Sequence, residues 1–293
     1  MHRTILEVEH AAVQLQRPVH PGLVRELPFG QFDAPSEPSS HLHSHWISIQ
    51  YHPAQCTAEC ADSRLEETAI CNRYVSPAER EIEDFWHIGR ANQPRWYDTP
   101  REVFPRAPGP FVRRSREDAG YSRELVVGQW GLIPWFAKTP KLTYSTNNAR
   151  SEELEGKATL KDPWKRGQRC IIPAWTFDEP NWESGKNVWW RFRRADGQPW
   201  GLAGLWATWA DKSTGEVHES YTMLTINADT HPLMRRMHKP DPKLSPDQQD
   251  KRSVIPLEPQ DWDQWLAGTM ADAKALLKLA PVEVFDAGPA DAS

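Results

Sequence analysis

Ser220-Tyr221-Thr222-Met223-Leu224-Thr225-Ile226 decides the fold class. Aromatic and β-branched side chains dominate this run, it carries no charge, and no glycine or proline interrupts it. It therefore reads as a strand. Working outward, residues 202–208, 188–193, 170–173 and 125–130 are of the same kind, and turn residues such as Ala195-Asp196-Gly197-Gln198 separate them. Helical signals lie toward the ends. Ser76-Pro77-Ala78-Glu79 has the form of a capping box with proline at the first helical position. Ile82, Phe85, Trp86 and Ile88 then give one apolar helical face, so a helix is expected over about 77–88. Two more are expected near 258–267 and 270–279. Strands in the middle and helices at the periphery predict an α+β domain with a curved, mainly antiparallel, barrel-like sheet.

Composition narrows the function classes. Of the 15 tryptophans, 14 follow position 71. Core packing is the expected use of most of them, with stacking on nucleobases the alternative. Residues 1–70 carry four Lys and Arg against nine Asp and Glu, which leaves 31 of each sign for 71–293. A neutral body argues against strong non-specific duplex binding, which needs a basic face, but permits a local basic groove. No stretch of 18 or more apolar residues and no apolar leader behind a basic start is present, so no membrane role is expected and a cytoplasmic location is. A monomer is expected.

Residues 1–70 differ from the rest and are read as a poorly ordered extension of a domain spanning 71–293. They are rich in His, Pro, Ser and Glu, and Ala34-Pro35-Ser36-Glu37-Pro38-Ser39-Ser40 has the composition of a linker. His41, His43 and His45 with Cys56 and Cys60 match no standard zinc spacing, so neither metal nor cofactor is expected. Cys170, in an Arg-Cys-Ile-Ile-Pro run, reads as a strand core residue.

Four chemically active residues stand out: Cys71 in Ile70-Cys71-Asn72-Arg73-Tyr74, Asn148 in Asn148-Ala149-Arg150, Glu179 after Phe177-Asp178, and His238 in Met237-His238-Lys239-Pro240. A thiol, an amide, a carboxylate and an imidazole are the parts of a nucleophilic site that only a fold can assemble. Asp178 reads as a solvated neighbour of Glu179. Taken with Arg106-Ala107-Pro108, Trp130-Gly131-Leu132-Ile133-Pro134-Trp135 and Arg169-Cys170-Ile171-Ile172-Pro173-Ala174, these motifs run in one order over about 71–285. That order resembles the SOS response-associated peptidase (SRAP) family. The chain departs from the family's pattern in three ways: Asn72 replaces a glycine, Lys239-Pro240 follows the histidine, and the cysteine lies at position 71 rather than directly after an initiator methionine.

The resemblance implies a protein that joins covalently to abasic sites in single-stranded DNA. A residue with both an α-amine and a β-thiol forms a Schiff base with the open-sugar aldehyde and then closes a thiazolidine ring. An α-amine with a pKa of about 7.7–8.0 keeps a substantial nucleophilic fraction near neutrality, where a lysine would be almost wholly protonated. By the same resemblance, Cys71 is the nucleophile, Asn148 orients it or the sugar, Glu179 is the general acid and base, and His238 stabilises the open sugar or relays a proton. Arg73, Arg106 and Arg150 would contact DNA, with Trp130 or Trp135 stacking near the lesion. The bond before Cys71 must then be absent. Either an autopeptidase activity removes 1–70, or translation starts at codon 70, and the irregular composition of 1–70 favours the second. Two rival readings are a non-catalytic single-strand-binding module of the same fold and a cysteine hydrolase of protein substrates using Cys71 and His238.

Overall fold

Strands β1 (Arg73–Ser76), β2 (Arg101–Val103), β3 (Pro108–Arg114), β4 (Arg123–Trp130), β5 (Asn148–Arg150), β6 (Arg169–Ala174), β7 (Thr176–Asn181), β8 (Val188–Arg194), β9 (Trp200–Ala210), β10 (Val217–Asn227), β11 (Arg252–Val254) and β12 (Phe285–Pro289) carry the architecture. Helices α1 (Glu79–Phe85), α2 (Ala158–Lys165), α3 (Trp262–Ala267) and α4 (Met270–Ala275) decorate it. The structure is a computed structural model that describes residues 71–90, 93–118 and 120–290. The expectations for 1–70, including the linker at 34–40 and the His and Cys cluster, lie outside the described residues.

Five strands close into a barrel in the order β10-β4-β3-β6-β9 and back to β10. Every pairing in the ring is antiparallel except β4 with β10, where Gln129 stands opposite Ser220. β5 adds to β10 in parallel, with Asn148 opposite Met223, and β11 extends the same strand. A second, wholly antiparallel sheet runs β12-β8-β7-β1-β2. The α+β class with a barrel-like core and peripheral helices is therefore what the chain adopts.

Two apolar cores result. One gathers Ile82, Trp86, Trp164, Leu205, Trp262 and Trp265, where the helices cover the barrel. The other gathers Tyr74, Trp130, Phe177, Phe192, Trp200 and Tyr221, and Cys71 is packed into it. Burying a large aromatic is worth roughly 2–3 kcal/mol by area. These rings are therefore the main reason that two sheets with so many prolines hold together.

Each of the five strands expected from the sequence forms, longer than expected by one to four residues. The first helix is shorter than expected and its cap is shifted. Ala78 is the N-cap, and Glu81 accepts its backbone N–H at 2.7 Å. Ser76 ends β1 instead, and its hydroxyl takes the Trp96 indole N–H at 2.9 Å. Glu79, the expected capping acid, accepts the backbone N–H groups of Arg95 and Trp96. The long-range partners of Ser76 and Glu79 displaced the local cap.

Candidate active site

β7 builds the site. Alternate residues of a strand share a face, so Phe177 and Glu179 point into the core with Cys71, while Asp178 points the other way. Glu179 is fully buried. Its Oε2 accepts the backbone N–H of Cys71 at 3.0 Å and lies 3.0 Å from Nε2 of His238, which donates to it. The Asn148 amide, brought in by the β5–β10 pairing, donates from Nδ2 to the Cys71 carbonyl at 3.1 Å. All four residues singled out in the sequence therefore meet, across sequence separations of 108, 77 and 59.

His238 reaches Glu179 because its own backbone docks on the end of β7. Met237 bridges Asn181, and the His238 N–H donates to Pro180 O at 2.6 Å. This puts His238 at φ 62°, the left-handed region that a side chain occupies only at a cost of about 1–2 kcal/mol. Lys251 offsets that cost. Its ammonium donates to Met237 O at 2.8 Å and His238 O at 2.6 Å. Burial pushes the Lys251 amine below its ordinary range, with the nearby Asp229 carboxylate acting in the opposite direction. Sequence reading missed Lys251, since nothing in its local motif signals a contact with a histidine 13 residues earlier.

The thiol is held neutral. Burial pushes its pKa well up, and the carboxylates of Glu179 and then Asp178 add to the effect. Its Sγ donates weakly to Arg73 O at 3.8 Å. Among the described residues no imidazole bonds this sulfur, and His238 is engaged with Glu179 instead. A thiolate–imidazolium pair, the basis of a cysteine hydrolase, is not what this geometry forms.

The remaining expected residues separate. Arg73 stands opposite Asp178 on β1, and Arg191 stands opposite it on β8. Both arginines pair with that one carboxylate, and Arg73 also reaches Glu102 at 3.5 Å. Asp178 is 1% exposed. It is therefore a buried counter-ion, not the solvated neighbour expected, and the Arg73 charge is already compensated. Arg150 pairs with Asp250 and approaches Glu153 at 4.0 Å. Arg106 takes a left-handed φ of 69°, donates its N–H to Trp130 O at 2.7 Å, and lines a cavity of about 270 Å³ with Gly131, Tyr144 and Asn147. Trp130 is enclosed, with its indole N–H on Asn147 O at 2.9 Å, so it is a core residue and not a stacking platform. Trp135 is 68% exposed with Phe136 edge-on at 5.6 Å and presents the free ring surface. A larger cavity of about 870 Å³ opens beside His238, lined by Trp182, Arg236, Leu244 and Lys251.

A family model described as SOS response associated peptidase (SRAP) matches residues 70–290. The abasic site processing protein YoqW of Bacillus subtilis is 32% identical over 138 residues, 47% of this chain and 60% of YoqW. The abasic site processing protein HMCES of Gallus gallus is 26% identical over 172 residues, 48% of this chain and 51% of HMCES. The chain thus spans between half and three fifths of these curated relatives. Among solved structures, a protein from Bordetella bronchiseptica is 35% identical with a TM-score of 0.63, covering 75% of this chain and 99% of that one. A Bacteroides thetaiotaomicron protein, 21% identical with a TM-score of 0.59, shares the fold.

Proposed function

The chain belongs to the SOS response associated peptidase (SRAP) family, and from that premise we propose that it processes abasic sites in single-stranded DNA by covalent capture on Cys71. The observation that carries the reading is the convergence of Cys71 N and His238 Nε2 on one buried oxygen of Glu179, each at 3.0 Å. The Cys71 amide nitrogen stands where a free α-amine would stand once residue 70 is no longer attached. An amine there has a general base on its nitrogen, and that base has a second proton-relay partner behind it.

The Cys71 amine adds to the aldehyde carbon of the open sugar, passing a proton through Glu179. Water leaves and an imine forms. The thiol then adds to the imine carbon, the C–S bond closes the five-membered ring, and the thiol proton passes to nitrogen. Because the thiol is neutral and the amine sits on the base, the amine attacks first. The Asn148 amide holds the Cys71 carbonyl so that the nitrogen keeps its direction. Autopeptidase action fits the same atoms. The thiol would add to the Ile70 carbonyl, the C–N bond would break to leave a thioester, and water would then release residues up to 70. A cytoplasmic, DNA-associated location follows from this function; among the described residues no helix is long and apolar enough to cross a membrane.

The test uses the chain beginning at Cys71 and an oligonucleotide with one abasic site. A denaturing gel should show a slowed band that is missing for Cys71→Ala and for an undamaged strand. A protein that binds the abasic strand yet leaves no such band would be the non-catalytic module instead. Intact mass of the full chain after purification, with or without loss of residues 1–70, tests the autopeptidase step.

A further inference from the structure

A second feature lies away from Cys71. Two adjoining cavities of about 400 and 330 Å³ share Arg116, Arg166, Gln168 and Trp206, and so form one groove. Arg114, Lys165 and Arg169 line one end, and Trp135 lines the other. The basic end is remote from Arg106 and Trp130. Pro108, which pairs with Gln129 beside them, and Arg114 are the two ends of β3, separated by roughly 20 Å at 3.3 Å per residue.

The charge in this groove is only partly balanced: Asp162 is the one carboxylate among its lining residues, against five cations. Among the described residues no carboxylate comes within 4.0 Å of Arg114, Lys165, Arg166 or Arg169, and Asp118, Glu155 and Asp272 act on Arg114, Lys165 and Arg169 only from further away. Arg116 only approaches Glu219, at 4.0 Å. Arg169 is buried, and its guanidinium rests on the carbonyls of Trp265 and Gly268 at the end of α3, which are dipoles and not charges. In a body with equal numbers of each sign, a cluster of five cations is a strong local field. Arginine forks suit phosphate oxygens, and the exposed Trp135 ring offers a stacking face for an unpaired base.

We propose that the groove from Trp135 to Arg169 is a second nucleic-acid track that holds the phosphodiester backbone of a single strand, whether or not the strand carries a lesion. The track does not depend on the chemistry assigned to Cys71, so an undamaged oligonucleotide is the proper probe. Lys165 and Arg166 are exposed and among the described residues make no ion pair within 4.0 Å, with Glu155 acting on Lys165 only from further away, so reversing their charge is compatible with the fold.

The experiment compares the full chain with Lys165→Glu/Arg166→Glu and with the control Lys212→Glu/Lys278→Glu, which makes the same change of charge elsewhere on the surface. Fluorescence anisotropy with an undamaged 15-mer is followed over a salt series, and melts check that all three proteins are folded. The groove variant should bind at least about tenfold more weakly at low salt, with a salt slope shallower by about one to two units, while the control changes little. Equal losses in both doubles would reduce the effect to net charge and overturn the track. Unchanged binding by the groove variant would overturn it outright. A preference of the full chain for duplex over single strand that the groove variant loses would overturn the single-strand assignment. None of these outcomes bears on whether Cys71 forms an adduct.

Discussion

Lys251 holds His238 by its backbone and not by its ring: the ammonium bonds the His238 carbonyl at 2.6 Å while the imidazole turns the other way to Glu179. Lys251→Met keeps most of the volume and removes both bonds. The expected result is a stability loss of about 1–3 kcal/mol in urea and adduct formation slowed about tenfold, as His238 leaves its left-handed conformation. Single-turnover gels beside a urea melt measure both. A normal rate in a destabilised protein would limit Lys251 to a role in folding.

Glu179→Gln tests the shared oxygen. The side chain keeps its shape but cannot take a proton from the Cys71 nitrogen. Adduct formation should slow by about 10²–10³-fold, and binding of an undamaged strand should not change. Equal rates for Gln and Glu would remove Glu179 from proton transfer.

Asp178→Asn leaves Arg73 and Arg191 facing a neutral amide on the middle strand of their sheet. Breaking a buried ion pair from one side costs about 3–5 kcal/mol. The urea midpoint should fall accordingly, with the slope unchanged. A loss below about 1 kcal/mol would mean that both arginines find other partners easily.

The two tryptophans of the Trp130–Trp135 segment should behave as opposites. Trp130→Ala is expected to cost about 3–5 kcal/mol in stability. Trp135→Ala should leave the melt in place and weaken single-strand binding by about 1–3 kcal/mol. Calorimetry and oligonucleotide titration of both variants separate the cases, and a reversal of the pattern would contradict the burial described above.

His231 ties stability to acid. Burial lowers its pKa, against weaker opposing effects of its bond to Ala280 O and of Glu283. Its Nδ1 accepts the N–H groups of Leu233 and Met234, which requires the neutral ring. A base whose folded pKa is depressed contributes fully above its unfolded value of about 6.5. The contribution is lost as pH falls from there through the lower folded value. Urea midpoints at pH 7.5 and 5 should show a smaller acid loss for His231→Gln than for the parent. Equal losses would place the acid sensitivity elsewhere.

Much of this was legible in the sequence, and the exceptions have physical causes. The middle strands announce themselves because they are apolar runs bounded by turns. β3 does not, because Pro108, Gly109 and Pro110 read as breakers. The fold tolerates them. β6 pairs β3 only at Val112 and Arg113, so at Pro110 the strand has a ladder on the β4 side alone. Glycine is required at 109, since a Cβ there would clash with the hydroxyls of Tyr221 and Tyr74. α2 was hidden by Pro163 in its interior. The four central site residues could be picked out because their types and order form a recognisable pattern. Lys251 and the double pairing of Asp178 could not, because both depend on which strands become neighbours.

The parallel seam between β4 and β10, which closes a long loop, is also expected to form late in folding. It joins residue 129 to residue 220, and the chain between them includes Asn148 and Glu179. Hairpin contacts such as β9 with β10 close short loops and form early, whereas the seam must wait for a long loop to close. A partly folded chain with every hairpin in place would still lack the β10 support that aligns β5, and with it the Asn148 contact to Cys71. Chemical competence should therefore appear with the slowest phase of refolding, so the nucleophile is not presented in its working geometry until the barrel has closed.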